Sequence, residues 1–134
     1  MVVQYRMHHV EPDISVMELT GQLTLGNRLM EVEHVIKQHI EKGSKKLVLD
    51  MAKLTFLDSA GIGMVMLCSG TIQQAGGRML IVGAEGKVRR VLELTHIHEV
   101  IGMHSELASA CSAFDGPGLT PPGQESAGLG KSGE

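Results

Sequence analysis

Leu47-Val48-Leu49-Asp50-Met51-Ala52-Lys53-Leu54-Thr55-Phe56-Leu57-Asp58-Ser59-Ala60-Gly61-Ile62-Gly63-Met64 decides how this chain folds. Three consecutive apolar residues, Leu47 to Leu49, predict a strand over 46–51 that is covered on both faces, as in a parallel sheet. The apolar pattern passes through a connector and breaks at Asp58-Ser59. Beyond the break, apolar residues at 62, 65, 66 and 72 return at helical spacing. A helix is therefore expected over about 60–75, with Ser59-Ala60-Gly61 as its first turn. A hydroxyl there stands at the positive end of a helix, beside backbone N–H groups that lack an intrahelical partner. Gly61 and Gly63 remove side chains that would crowd it. Such an arrangement presents a small polar group to a visitor.

Working outward, residues 2–9 and 14–20 predict two short strands around the turn-forming Glu11-Pro12-Asp13. A connector over 21–27 follows, with Asn27 as the expected cap of a first helix over about 28–42. Leu29, Val32, Ile36 and Ile40, with Val35, make its buried stripe, and Gly43 its left-handed stop. In the second helix, Ile62, Val65, Met66 and Ile72 are expected to face the core. Met64, Leu67 and Cys68 are expected partly round the other side, covered by a neighbour or available to a partner, where Met64 and Leu67, if exposed, would allow weak self-association. Past Gly76-Gly77, residues 79–82 predict another buried strand and 86–95 a third helix with Val88, Val91 and Leu92 inward. Val100-Ile101 is expected as a short strand, and Ser105 as the cap of a last helix carrying Leu107, Cys111 and Phe114. This alternation predicts an α/β sandwich with a mainly parallel sheet of four to five strands and about four helices. One domain is expected over 1–114. The Gly-, Pro- and Ser-rich tail over 115–134 has too little to bury and is expected to be disordered.

Composition narrows the function. The 134 residues carry a net charge of −3, one Tyr, two Phe and no Trp. Without a basic stripe or aromatic platforms, direct nucleic-acid binding is disfavoured. No apolar run approaches the roughly eighteen residues that span a bilayer, and the N-terminus lacks a signal-peptide layout. A cytoplasmic protein is expected, with Cys68 and Cys111 as reduced core thiols.

Catalytic motifs are absent. A nucleophile elbow needs Gly two positions before the serine, and Leu57 stands there. Gly61-Ile62-Gly63 opens like a dinucleotide fingerprint, but Met66 occupies the third glycine's place. The histidine pairs His8/His9, His34/His39 and His96/His98 lack a third ligand at metal-binding spacing. No metal, cofactor or catalytic group is expected. What remains at Asp58-Ser59 is either a helix cap alone or a binding surface.

Leu47-Val48-Leu49-Asp50, then Phe56-Leu57-Asp58-Ser59-Ala60-Gly61-Ile62-Gly63, then Gly76-Gly77-Arg78-Met79-Leu80-Ile81-Val82 resemble the STAS domain of bacterial anti-sigma factor antagonists. Val91-Leu92-Glu93-Leu94-Thr95-His96-Ile97 falls where that family carries its leucine-threonine third helix. The likeness covers roughly residues 2–114. It implies a non-enzymatic switch, in which the serine matching Ser59 is phosphorylated by the anti-sigma factor, itself a serine kinase, and restored by a PP2C-type phosphatase. The unphosphorylated form would bind the anti-sigma factor and free the sigma factor for transcription. Expected partner-binding residues are Thr24, Asp58, Ser59, Ala60, Gly61, Ile62, Gly63 and Met64, with Thr24 standing where the family often has an acidic residue. The alternative within the family is a constitutive scaffold or small-molecule-binding subunit in which Ser59 is only a cap.

Overall fold

The computed structural model describes residues 2–114, so the expected tail over 115–134 lies outside the described residues. Five strands form one sheet in the order β1 (Gln4–Val10), β2 (Ile14–Leu23), β3 (Lys46–Leu57), β4 (Arg78–Val82) and β5 (Gly102–His104). The β1–β2 hairpin is antiparallel, and every later pairing is parallel. Four helices complete the fold: α1 (Leu29–Glu41), α2 (Ser59–Gln74), α3 (Gly86–Leu94) and α4 (Leu107–Phe114). The expected architecture is the observed one.

Strand alternation divides the core in two. Met17, Leu19, Leu47, Leu49, Met51, Met79 and Ile81 point to one face, where α1, α2 and α3 bury Val32, Ile36, Val65, Ile72, Val88 and Leu92. Ile14, Val16, Val48, Leu80 and Val82 point to the other, against Ala110 and Phe114 of α4. Cover on both faces is why β3 and β4 carry unbroken apolar runs. Helix α1 ends as expected: Gly43, at φ 103°, donates to the Ile40 carbonyl, and Ser44 to that of His39.

Several expectations are corrected. Strand β2 runs on through Leu23, and β3 through Leu57 instead of ending at Met51. The two stay paired there across register shifts, although β4 accompanies β3 only from Lys46 to Asp50. Hydrogen bonding to β2, invisible in a one-strand pattern, extends the strand. Arg28, with left-handed backbone, occupies the first helix's cap position. The Asn27 side-chain Nδ2 instead donates to the Gln22 carbonyl. Residues 97–99 form a 3-10 turn and the fifth strand begins at Gly102, so Val100-Ile101 is no strand. The last helix begins at Leu107, two residues beyond Ser105.

The phase of α2 also differs. Met64 and Cys68 are buried, while Met66 is 38% exposed. This helix is apolar around most of its circumference, so hydrophobic periodicity alone could not fix which side faces inward. Neither cysteine forms a disulfide among the described residues, and Cys68 is in the core while Cys111 is half-buried.

Candidate functional site

The long β2–β3 pairing carries the chain beyond the end of β4, and α2 starts at its tip. There Asp58 has extended backbone (φ −100°, ψ −173°), which suits the residue preceding a helix. Its Oδ1 accepts from the Gly61 amide at 2.9 Å, and its Oδ2 accepts from the Leu25 amide at 3.1 Å. The Asp58 amide donates to the Leu23 carbonyl at 3.3 Å. One residue thus caps α2 and ties the loop after β2 against it. The donated Gly61 and then Leu25 N–H bonds hold the Asp58 carboxyl below the usual carboxylate range.

Because Asp58 provides the cap, Ser59 does not. Ser59 is the first residue of α2, it is exposed, and its hydroxyl has no hydrogen-bond partner among the described residues. Ser59, Gly63, Met66 and Gly70 lie at i, i+4, i+7 and i+11, along one stripe opposite the buried Gly61, Val65, Cys68 and Ile72. Space around Gly63 and Gly70 is open for at least 4 Å from where a side chain would begin. Around the serine, the outer surface is therefore low and apolar, with the thioether of Met66 in its middle.

Gly61 does something different. A Cβ there would lie 2.1 Å from the Leu23 carbonyl oxygen, so only glycine lets the first turn of α2 approach the end of β2 this closely. Ala60 and Ile62 are half-buried against the main core. Thr24 is half-buried in the turn closed by the Asn27 amide on its carbonyl.

The structure therefore brings Thr24, Asp58, Ser59, Ala60, Gly61, Ile62 and Gly63 to one place. It does not bring Met64, which is only 4% exposed and packs inward. Sequence reasoning missed Met66, which takes Met64's expected place, and also Leu25 (77% exposed) and Met30 (83%). The signal for Met66 was its spacing: at i+7 from Ser59 it shares the serine's face, so an outward Ser59 requires an outward Met66.

Histidines elsewhere make local contacts. His96 Nδ1 lies 2.9 Å from Glu99, and His8 Nε2 lies 3.2 Å from Glu18. Among the described residues, no three His, Cys, Asp or Glu side chains are grouped to hold a metal ion. No described helix is long and apolar enough to cross a membrane.

Residues 5–110 match the family model described as the STAS domain. BtrV of Bordetella bronchiseptica, named as a candidate anti-sigma factor antagonist, is 25% identical over 84 residues, 63% of this chain and 72% of its own. An anti-sigma factor antagonist from Mycobacterium paratuberculosis superimposes with a TM-score of 0.77 at 18% identity, over 85% of this chain and 95% of that one. The anti-sigma factor antagonist SpoIIAA of Bacillus in its unphosphorylated form superimposes at 0.67 and 19% identity, over 85% of this chain and all of its own, and it is also solved in a phosphorylated form. At these identities the structural likeness establishes the fold, and the match over residues 5–110 establishes that the chain belongs to the STAS domain family.

Proposed function

We propose that this chain is an anti-sigma factor antagonist that works in the cytoplasm as a switchable binding module, without catalytic chemistry of its own. Unphosphorylated, it docks the start of α2 on an anti-sigma factor with serine-kinase activity. That kinase places a phosphate on Ser59 and ends the contact, and a PP2C-type phosphatase restores it. The observation that carries this reading is the exposed Ser59 hydroxyl at the first position of α2, left without a bonding partner because Asp58 is the cap.

The physics of the switch is local. A phosphate adds about −1.5 to −2 charges and would stand at the positive end of α2, so the helix tolerates it. The same charge would stand beside ionised Asp58 and in front of half-buried Ile62 and exposed Met66. Bringing a partner over that surface would strip water from two neighbouring negative groups, and like-charge repulsion adds to the cost. Docking fails while the fold persists. The alternative is a constitutive scaffold or small-molecule-binding subunit in which Ser59 is only a cap; the Asp58 carboxylate on the Gly61 amide, with the Ser59 hydroxyl exposed, supports the switch over it.

The test combines two measurements. Incubation with ATP and the cognate kinase, followed by intact-mass analysis, should add one phosphate to the native chain and none to Ser59→Ala. Titration against the purified anti-sigma factor should show Ser59→Asp at least about tenfold weaker than Ser59→Ala, a difference of about 1.4 kcal/mol. Equal affinities would remove the mechanism.

A further inference from the structure

Adjacent parallel strands whose following helices pass to opposite faces of a sheet leave a crevice between their diverging loops, and in open α/β sheets ligands bind there. This sheet has such a place away from Ser59. Strand β4 leads through Gly83-Ala84-Glu85 into α3, whose Val88 and Leu92 pack on the first face. Its neighbour β5 leads through Ser105-Glu106 into α4, whose Ala110 and Phe114 pack on the second. Between the two loops opens a cleft of about 340 Å³, within the size range of small-ligand sites. Strand β3 continues from Asp50, the end of its pairing with β4, to Leu57, so on the order of 20 Å of strand separates this level of the sheet from the start of α2.

The lining carries the carboxylates of Glu85 and Glu93 and, between them, the guanidinium of Arg89. Glu85 precedes α3 and Arg89 follows four residues later; the Arg89 amide donates to the Glu85 carbonyl at 3.3 Å. Their side chains do not pair. Arg89 turns forward, its Nε 3.0 Å from Glu93 Oε2, which leaves its Nη donors for another oxygen. The Glu85 carboxylate has no ion-pair or hydrogen-bond partner among the described residues, although it lines the cleft. Glu85 has extended backbone (φ −141°, ψ 166°) ahead of the first turn, yet its carboxylate and the Arg89 guanidinium both line the cleft, one for an ammonium and one for a carboxylate of the same small molecule. His98 and Ser105 add hydrogen-bonding groups, and Ala84 and Met103 an apolar wall. Burial, and then the charge of Arg78, lower the pKa of His104, so it adds no positive charge to offset Glu85.

We propose that the cleft between the β4–α3 and β5–α4 loops binds a small amino-acid-like zwitterion, its ammonium on Glu85 and its carboxylate on the Nη donors of Arg89. This site is separate from Ser59 and does not depend on the switch proposed there. Titrating the full ¹⁵N-labelled chain with each of the common L-amino acids, to about 10 mM, tests it by amide shifts in a range where weak ligands register. At least one should shift the amides of Gly83, Glu85 and Ser105 saturably. Glu85→Gln should weaken that ligand at least tenfold without changing the melting temperature, Ser59→Ala should leave it unaffected, and the N-acetylated form should not bind. Absence of saturable shifts for every amino acid would overturn the proposal, as would undiminished binding by Glu85→Gln or by the acetylated ligand.

Discussion

Gly61 and Gly63 stand two residues apart in α2, yet alanine should act on them with opposite sign. On Gly61 the new Cβ would lie 2.1 Å from the Leu23 carbonyl oxygen, where real Cβ atoms stay beyond 3.0 Å. The obstacle is backbone, so no rotamer change relieves it, and the first turn must retreat by roughly 1 Å. That retreat pulls on the Asp58 amide bond to Leu23 (3.3 Å) and on the Leu25 amide bond to Asp58 (3.1 Å). Overpacking costs about 1–3 kcal/mol and each weakened bond up to about 1, against a helix-propensity gain of about 1. The net loss is about 2 kcal/mol, which lowers the melting temperature by roughly 8 °C or more. At Gly63 nothing lies within 4 Å of the added methyl, so only the propensity gain of up to about 1 kcal/mol remains. Urea denaturation followed by circular dichroism measures both. A Gly61→Ala protein as stable as the native chain would refute the close approach, and so would equal losses for the two variants.

Asp58→Ala should cost about 1–2 kcal/mol in the same assay through loss of the cap. Because its folded pKa lies below the ordinary 3.8, the ionised carboxylate contributes stability that is complete above that value. That contribution fades as pH falls through the folded pKa, and Asp58→Asn should flatten this part of the acid-denaturation profile. Burial pushes the Cys68 thiol up to about 12, so a thiol reagent at pH 8 should leave it unmodified in the native protein and label it once urea unfolds the chain; mass analysis of peptides reads the outcome.

The sequence signals for the fold were strong where two constraints coincide. Leu47-Val48-Leu49 and Met79-Leu80-Ile81-Val82 face apolar neighbours on both sides, and short unbroken runs of that length bounded by turn residues fit strands covered on both faces. Signals were weak where the cause lies elsewhere in the chain. Thr55 and Phe56 are exposed and look like connector residues, but β2 pairing keeps them in a strand, with the Thr55 hydroxyl donating to the Gly21 carbonyl at 3.0 Å. Arg28 is no usual cap residue, yet its ion pair with Glu31, which also accepts from the Tyr5 hydroxyl at 2.7 Å, brings together partners 26 residues apart. At the candidate site, Asp58-Ser59 and its two glycines were legible as a helix start. The division of labour was not, since Leu25 meets Asp58 only after the loop folds back.

Which α2 side chains face outward can be tested without a phosphate. Met66, at i+7, lies on the stripe of the exposed Ser59, and Met64 lies inside. Met66→Glu places a charge on an exposed position, so stability should stay within about 0.5 kcal/mol while docking of the anti-sigma factor weakens at least about tenfold. Met64→Ala should do the reverse: a cavity costing about 2–5 kcal/mol, with affinity retained by whatever fraction remains folded. Calorimetric titration of both variants, paired with their denaturation midpoints, separates the two roles. If Met66→Glu docks like the native chain, the partner does not touch this stripe; Ser59 would then be exposed for some other visitor, and the helix phase would have no bearing on its recognition.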